Sequence, residues 1–258
     1  MVGLGHEWAG LTATPRLSPA RLALLVWPGL SLLAVGWLGW PGSLRLLLCG
    51  LLLGPLRGGG VVLVGLAGFG LIWLRRMTDA GPACVLFVLL AVWASDSVAY
   101  LAGRALGGPK LAPRISPAKT WSGAAGGLAG AMLAGLLVCL LDPRAGSGTG
   151  IRIVQGLVFG GVIGLAAQAG DLAESAFKRR QGVKDSGQMI PGHGGLLDRF
   201  DGLMAAAPLA ALLSLGSGIG HGFWQLDPFD LRPIDLAGRH MTQGWLEGMI
   251  AKVGKSSE

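Results

Sequence analysis

Apolar residues along the chain gather into long runs, and polar residues are confined to short stretches between them. A helix crosses the hydrocarbon of a bilayer with about 20 mainly apolar residues. Runs of roughly that length fall at 20–40, 43–56, 59–74, 82–103, 122–141, 153–173 and 203–222, the second and third being the shortest. The pattern predicts an all-α, polytopic integral membrane helix bundle of about seven spans. The first run follows Pro15, Arg16 and Pro19, is long and lacks a small-residue cleavage site, so it reads as a span and not as a cleaved signal. The expected organisation is 1–95 as N-terminal membrane helices, 96–222 as a catalytic membrane domain and 223–258 as a polar tail, weakly amphipathic around Trp245–Val253.

Composition strengthens this reading. Only 14% of residues are charged and 52% are hydrophobic, with a mean hydropathy of +0.58; a soluble domain averages about 25% charged. The 46 glycines are scattered among Leu, Val and Ala, as in membrane helices that approach closely. A net charge of +7 raises the question of nucleic acid. The bases, however, sit in short loops between apolar spans, where lipid headgroups or a nucleotide's phosphates would meet them, and no nucleic-acid partner is expected. Cys49, Cys84 and Cys139 fall singly in apolar stretches and are expected to be buried packing residues, with no disulfide or zinc site.

Placing the 104–119 and 178–199 loops inside puts 12 of the 21 Lys and Arg on that side. Of the nine on the other side, four belong to the C-terminal tail, and the pair Arg75–Arg76 runs against the trend. The bias favours a cytoplasmic location for both loops.

Three polar places carry candidate chemistry, because ionisable groups at membrane depth are costly. Asp96, with Ser97 and Tyr100, ends an otherwise apolar helix, where it could serve packing or function. The 103–120 loop holds Arg104, Lys110, Arg114 and Lys119, X-Pro stiffeners before the next helix, and Ser116 and Thr120 near that helix's N-terminus, a favourable place for an anion. In the third place Asp171, Glu174 and Lys178 share a helical face, followed by Arg179, Lys184, Asp185, the turn Pro191-Gly192-His193-Gly194-Gly195, Asp198, Arg199 and Asp201. Glu174–Lys178 alone could be a surface pair. Asp171, Asp198 and Asp201 together bring three carboxylates to one membrane face, hard oxygen ligands suited to Mg²⁺. Bases beside such an ion call for an anion of their own, and a polyphosphate satisfies both.

The run Ser175, Lys178-Arg179, Lys184-Asp185, Gly187, Pro191, His193-Gly194-Gly195, Asp198-Arg199 and Asp201 resembles the signature of the phosphatidate cytidylyltransferase (CDP-diacylglycerol synthase) family. Asp96–Tyr100, Gly103-Arg104, Lys110-Leu111-Ala112-Pro113, Ser116-Pro117 and Lys119-Thr120-Trp121 resemble its preceding block. Val98, Gly108 and Ser122 depart from it. His6-Glu7-Trp8 resembles a Glu-Trp that follows two earlier membrane helices in relatives, so that pair is expected to be missing here.

The resemblance implies transfer of a cytidylyl group from CTP to phosphatidic acid, giving CDP-diacylglycerol and pyrophosphate, in a cleft at the cytoplasmic face of the cell inner membrane. It implies Asp171, Asp198 and Asp201 as ligands of one or two Mg²⁺ ions, with Asp185 beside them. Lys178, Arg179, Lys184 and Arg199 are expected on the triphosphate and lipid phosphate. Asp96, Arg104, Ser116, Lys119 and Thr120 are expected on substrate, as are His193, Gly194 and Gly195, with His193 orienting it or forming the loop. A homodimer is compatible with this scheme. An ion or solute transporter, a CTP-dependent lipid kinase and an inactive homologue are the competing readings; the transporter does not require the bases and the His-Gly-Gly turn together.

Overall fold

The computed structural model describes residues 1–77, 80–141, 149–189 and 194–217. A short helix, α1 (Val2–Leu11), which the apolar pattern does not announce, ends at Thr12, whose hydroxyl donates to the Trp8 carbonyl. Ser18 caps α2 (Pro19–Leu33) by accepting from the Arg21 N–H, with Pro19 at the first helical position. Ala34 keeps helical dihedrals into α3 (Val35–Leu48), so the predicted 20–40 run continues to Gly39. There a φ of 65° and the following Pro41 kink the chain, because the left-handed backbone and the missing N–H interrupt the helical ladder. The rest of α3 and a 3-10 turn, Cys49–Leu53, fill the second predicted run. Cys49, expected to be buried, is exposed: it opens that turn at the edge of the bundle, whereas Cys84 and Cys139 are buried.

The remaining helices are α4 (Pro55–Met77), α5 (Gly81–Leu106), α6 (Trp121–Leu141), α7 (Thr149–Arg180) and α8 (Leu197–Ser217). Among the described residues, five helical stretches are long and apolar enough to cross a membrane: Val35–Leu53, Pro55–Arg76, Gly81–Leu106, Trp121–Leu141 and Gly150–Arg180. Together with α2 and α8 they make the all-α polytopic architecture. The predicted span 203–222 begins earlier than expected, inside α8, and its residues 218–222 lie outside the described residues, as does the tail.

α5, α6 and α7 pack consecutively, and α8 packs on α4 and α7. Glycines set the spacing between α6 and α7: a Cβ at Gly156 or Gly160 would meet the backbone of Leu136 or Ala131. One apolar core lies among α4–α8 around Phe87, Val88, Ile163 and Ala207. A second, around Trp8, Leu24, Leu47, Val61 and Met204, joins α1–α4 to α8. The 32 residues of α7 reach about 48 Å at 1.5 Å per residue, beyond the roughly 30 Å hydrocarbon. Its last turns, with Asp171 to Arg180, therefore emerge from the apolar layer. They do so beside the end of α5 and the starts of α6 and α8.

Between α5 and α6 the expected loop is folded into an antiparallel hairpin, β1 (Lys110–Ala112) with β2 (Ser116–Thr120), pairing Lys110 with Thr120 and Ala112 with Ser116. It is the one addition to the helical plan among the described residues.

Candidate active site

A pocket of about 510 Å³ opens where these helix ends meet the hairpin. α5 contributes Asp96, Tyr100 and Arg104; β2 contributes Lys119 and Thr120; α7 contributes Gln168 and Asp171; α8 contributes Asp198, Arg199 and Asp201. Two segments separated by a whole transmembrane helix in sequence thus face one another, and four carboxylates share the wall with three cationic side chains.

Thr120 caps α6, its Oγ1 accepting from the Gly123 N–H at 3.1 Å and exchanging a 3.0 Å hydrogen bond with Ser122. Ser122, one of the departures from the family pattern, also donates to the Gly107 carbonyl, tying the helix start to the turn that precedes the hairpin. Lys119 crosses the pocket to pair with Asp171, whose other oxygen accepts from Ser175 at 3.3 Å. Arg104 donates to the Tyr100 hydroxyl at 3.0 Å. Gln168 gives its amide hydrogens to Ser95 (3.3 Å) and the Ala124 carbonyl (3.1 Å), joining α5, α6 and α7 at the pocket floor.

Lys178 stands behind the α7–α8 wall, only 8% exposed. Its ammonium is 2.7 Å from Glu174 and donates to Asp198 at 2.6 Å. Asp198 also accepts from the Ser186 N–H at 3.1 Å and the Gly195 N–H at 2.8 Å. The expected Glu174–Lys178 face is therefore real, but it is a buried triad with Asp198 and not a solvated ion pair. Arg179 is outside the pocket and donates to the carbonyls of Ile115 (3.2 Å) and Val183 (3.3 Å), bracing the hairpin turn against α7. Ser116, Lys184, Asp185, Gly194 and Gly195 also lie off the pocket wall; Lys184 and Asp185 are exposed in the loop after α7, and Gly194 has a φ of 80°. His193 lies outside the described residues.

One buried participant was not singled out by sequence reasoning. Glu7, on α1 and 3% exposed, accepts from Ser186 Oγ (3.0 Å), Leu196 N–H (2.8 Å) and Leu197 N–H (2.8 Å). Its place beside Trp8 in a Glu-Trp pair was the only signal, and nothing local points to partners 179 to 190 residues away.

Asp96, Asp171 and Asp201 are near enough to repel one another across the pocket. Crowded carboxylates facing a polar cleft are the hard oxygen donors a divalent cation such as Mg²⁺ takes. Among the described residues, no three His, Cys, Asp or Glu side chains converge tightly enough to form a finished ligand cluster. The donor chemistry fits the ion, and the hydrogen bonds on Asp198 are of the kind that orient ligating carboxylates.

Comparison with known proteins identifies the family. The model of the cytidylyltransferase family matches residues 22–215. The phosphatidate cytidylyltransferase of Brucella abortus (strain 2308) is 43% identical over 233 residues, covering 80% of this chain and 78% of the relative. That of Haemophilus influenzae is 47% identical over 129 residues, covering 50% and 44%. That of Pseudomonas aeruginosa is 39% identical over 151 residues, covering 58% and 54%.

Proposed function

The chain belongs to the cytidylyltransferase family, and from that premise we propose that it transfers the cytidylyl group of CTP to phosphatidic acid. A phosphate oxygen of the lipid attacks the α-phosphorus of CTP, the bond from that phosphorus to the β-phosphate oxygen breaks, and pyrophosphate leaves as CDP-diacylglycerol forms. The attacking oxygen is already anionic, so no strong general base is required. The barrier is lowered by positioning and by charge neutralisation.

The observation that carries this reading is the shared pocket, in which Arg104, Lys119 and Arg199 stand among Asp96, Asp171, Asp198 and Asp201. The cations are suited to phosphate oxygens. Asp171, Asp198 and Asp201 would hold Mg²⁺, which supplies Lewis-acid polarisation of the phosphoryl oxygens when bound. Asp96 adds a fourth carboxylate from α5. Lys178 neutralises Asp198 from behind and keeps its carboxylate turned to the site. We assign the pocket to the cytoplasmic face of the inner membrane, a placement supported by the excess of bases in the loops that frame it.

Purified protein in detergent, given phosphatidic acid, labelled CTP and Mg²⁺, is expected to form CDP-diacylglycerol and pyrophosphate in equal amounts. No lipid product, together with ion flux in liposomes, would replace the enzyme by a transporter.

A further inference from the structure

We infer that Glu7 is a positioning residue of the active site, acting from α1 through the start of α8 to set where Asp198 points. This rests on the proposed activity but concerns a residue outside the pocket wall. Between them Glu7 and Asp198 hold Ser186 on one side and Gly195 to Leu197 on the other. Ser186 gives its hydroxyl to Glu7 (3.0 Å) and its backbone N–H to Asp198 (3.1 Å). On the other side, Gly195 N–H goes to Asp198 (2.8 Å) while Leu196 and Leu197 N–H go to Glu7 (both 2.8 Å). Leu197 opens α8 and Leu196 immediately precedes it, at the helix start where N–H groups have no partner within the helix. Glu7 therefore caps α8 from another helix, where a carboxylate is also favoured by the helix dipole.

The room for this contact is made by small residues. A Cβ on Gly187 would lie 2.9 Å from Glu7 Oε1, and one on Gly195 would lie 2.7 Å from Glu7 Oε2. Among the described residues no Lys or Arg pairs with Glu7. Its charge is thus balanced by the loop and the helix start that it holds. The adjacent Trp8 stacks on Phe177 with ring centroids 4.7 Å apart and planes 8° apart, next to Lys178. α1 consequently braces both members of the Lys178–Asp198 pair, Lys178 through α7 and Asp198 through α8.

The test compares the full chain with Glu7→Gln and Glu7→Asp in detergent. An amide cannot accept at its nitrogen, so Glu7→Gln breaks part of the cap, whereas Glu7→Asp keeps a charged acceptor on a shorter arm. Glu7→Gln is expected to raise the half-saturating Mg²⁺ concentration about tenfold, as loss of a residue supporting a metal ligand does. It should lower kcat more than it raises KM for CTP, and speed trypsin cleavage after the exposed Lys184. Glu7→Asp should recover part of each. An unchanged Mg²⁺ response with unchanged cleavage in Glu7→Gln overturns the inference. Should Glu7→Gln fail to fold, Ser186→Ala removes one of the three hydrogen bonds, and a wild-type Mg²⁺ response there overturns it equally. Lack of product from the unaltered chain would refute the activity instead, and the cleavage comparison, which needs no turnover, would still decide the role of Glu7.

Discussion

On the wall built by α5 and the hairpin, Asp96 and Arg104 are exposed and Lys119 is half-buried, on backbone fixed by strand pairing and the Thr120 cap. On the wall built by α7 and α8, Glu174 and Lys178 are buried and Asp198 is enclosed by an ammonium and two backbone N–H groups. Charges on the first wall can be removed without exposing an unpaired buried group. In the Glu174–Lys178–Asp198 triad of the second, charge and fold are the same structure, since each of these ions depends on its neighbours. A cation therefore means something different on each side.

The sharpest way to break that contrast is the same substitution on both walls. Lys178→Met strands Glu174 and Asp198 and is expected to cost about 4 kcal/mol of stability, the scale for breaking a buried ion pair. Lys119→Met, at an ion pair about a quarter exposed, should cost less than about 1 kcal/mol while still lowering turnover. Thermal unfolding in detergent reads both, and equal midpoints would erase the distinction.

Next come the carboxylates. Asp171→Asn and Asp201→Asn are each expected to reduce CDP-diacylglycerol formation at least about 100-fold, as losing a charge-stabilising group does, with little change in unfolding midpoint because each removal relieves repulsion. Asp198→Asn should lower both activity and midpoint. Near-normal turnover in Asp171→Asn and Asp201→Asn would refute their metal role.

Smaller again, Thr120→Val removes the α6 cap and is expected to cost about 1 kcal/mol. Arg179→Ala, which frees two carbonyls on exposed backbone, should stay within about 0.5 kcal/mol. Its turnover, measured beside that of Lys119→Met, separates bracing of the hairpin from contact with phosphate.

Much of this was legible in the sequence where periodicity or charge at membrane depth carried the signal. The apolar runs located α4 to α8, and the spacing of Asp171, Glu174 and Lys178 located the polar face of α7. The hairpin was not legible, because Ser116 to Thr120 is short, mostly polar and contains Pro117, none of which marks a strand. The burial of Lys178 was hidden for a different reason: a Lys four residues after a Glu reads as a surface pair unless the element covering it is known, and that element is α8. Glu7 is the extreme case, since two of its three partners are backbone N–H groups, which leave no trace in residue identity.

Tyr100, on the pocket wall, and Trp121, at the adjoining start of α6, have one more consequence. Tyr100 is 63% and Trp121 60% exposed, at the end of α5 and the start of α6, and such side chains settle at headgroup level. A lipid acceptor can then present its phosphate while its tails remain in its own leaflet, and the product departs by lateral diffusion. Encounter takes place in two dimensions. At a fixed amount of phosphatidic acid, diluting it with inert detergent or lipid should slow turnover even though its bulk concentration is unchanged.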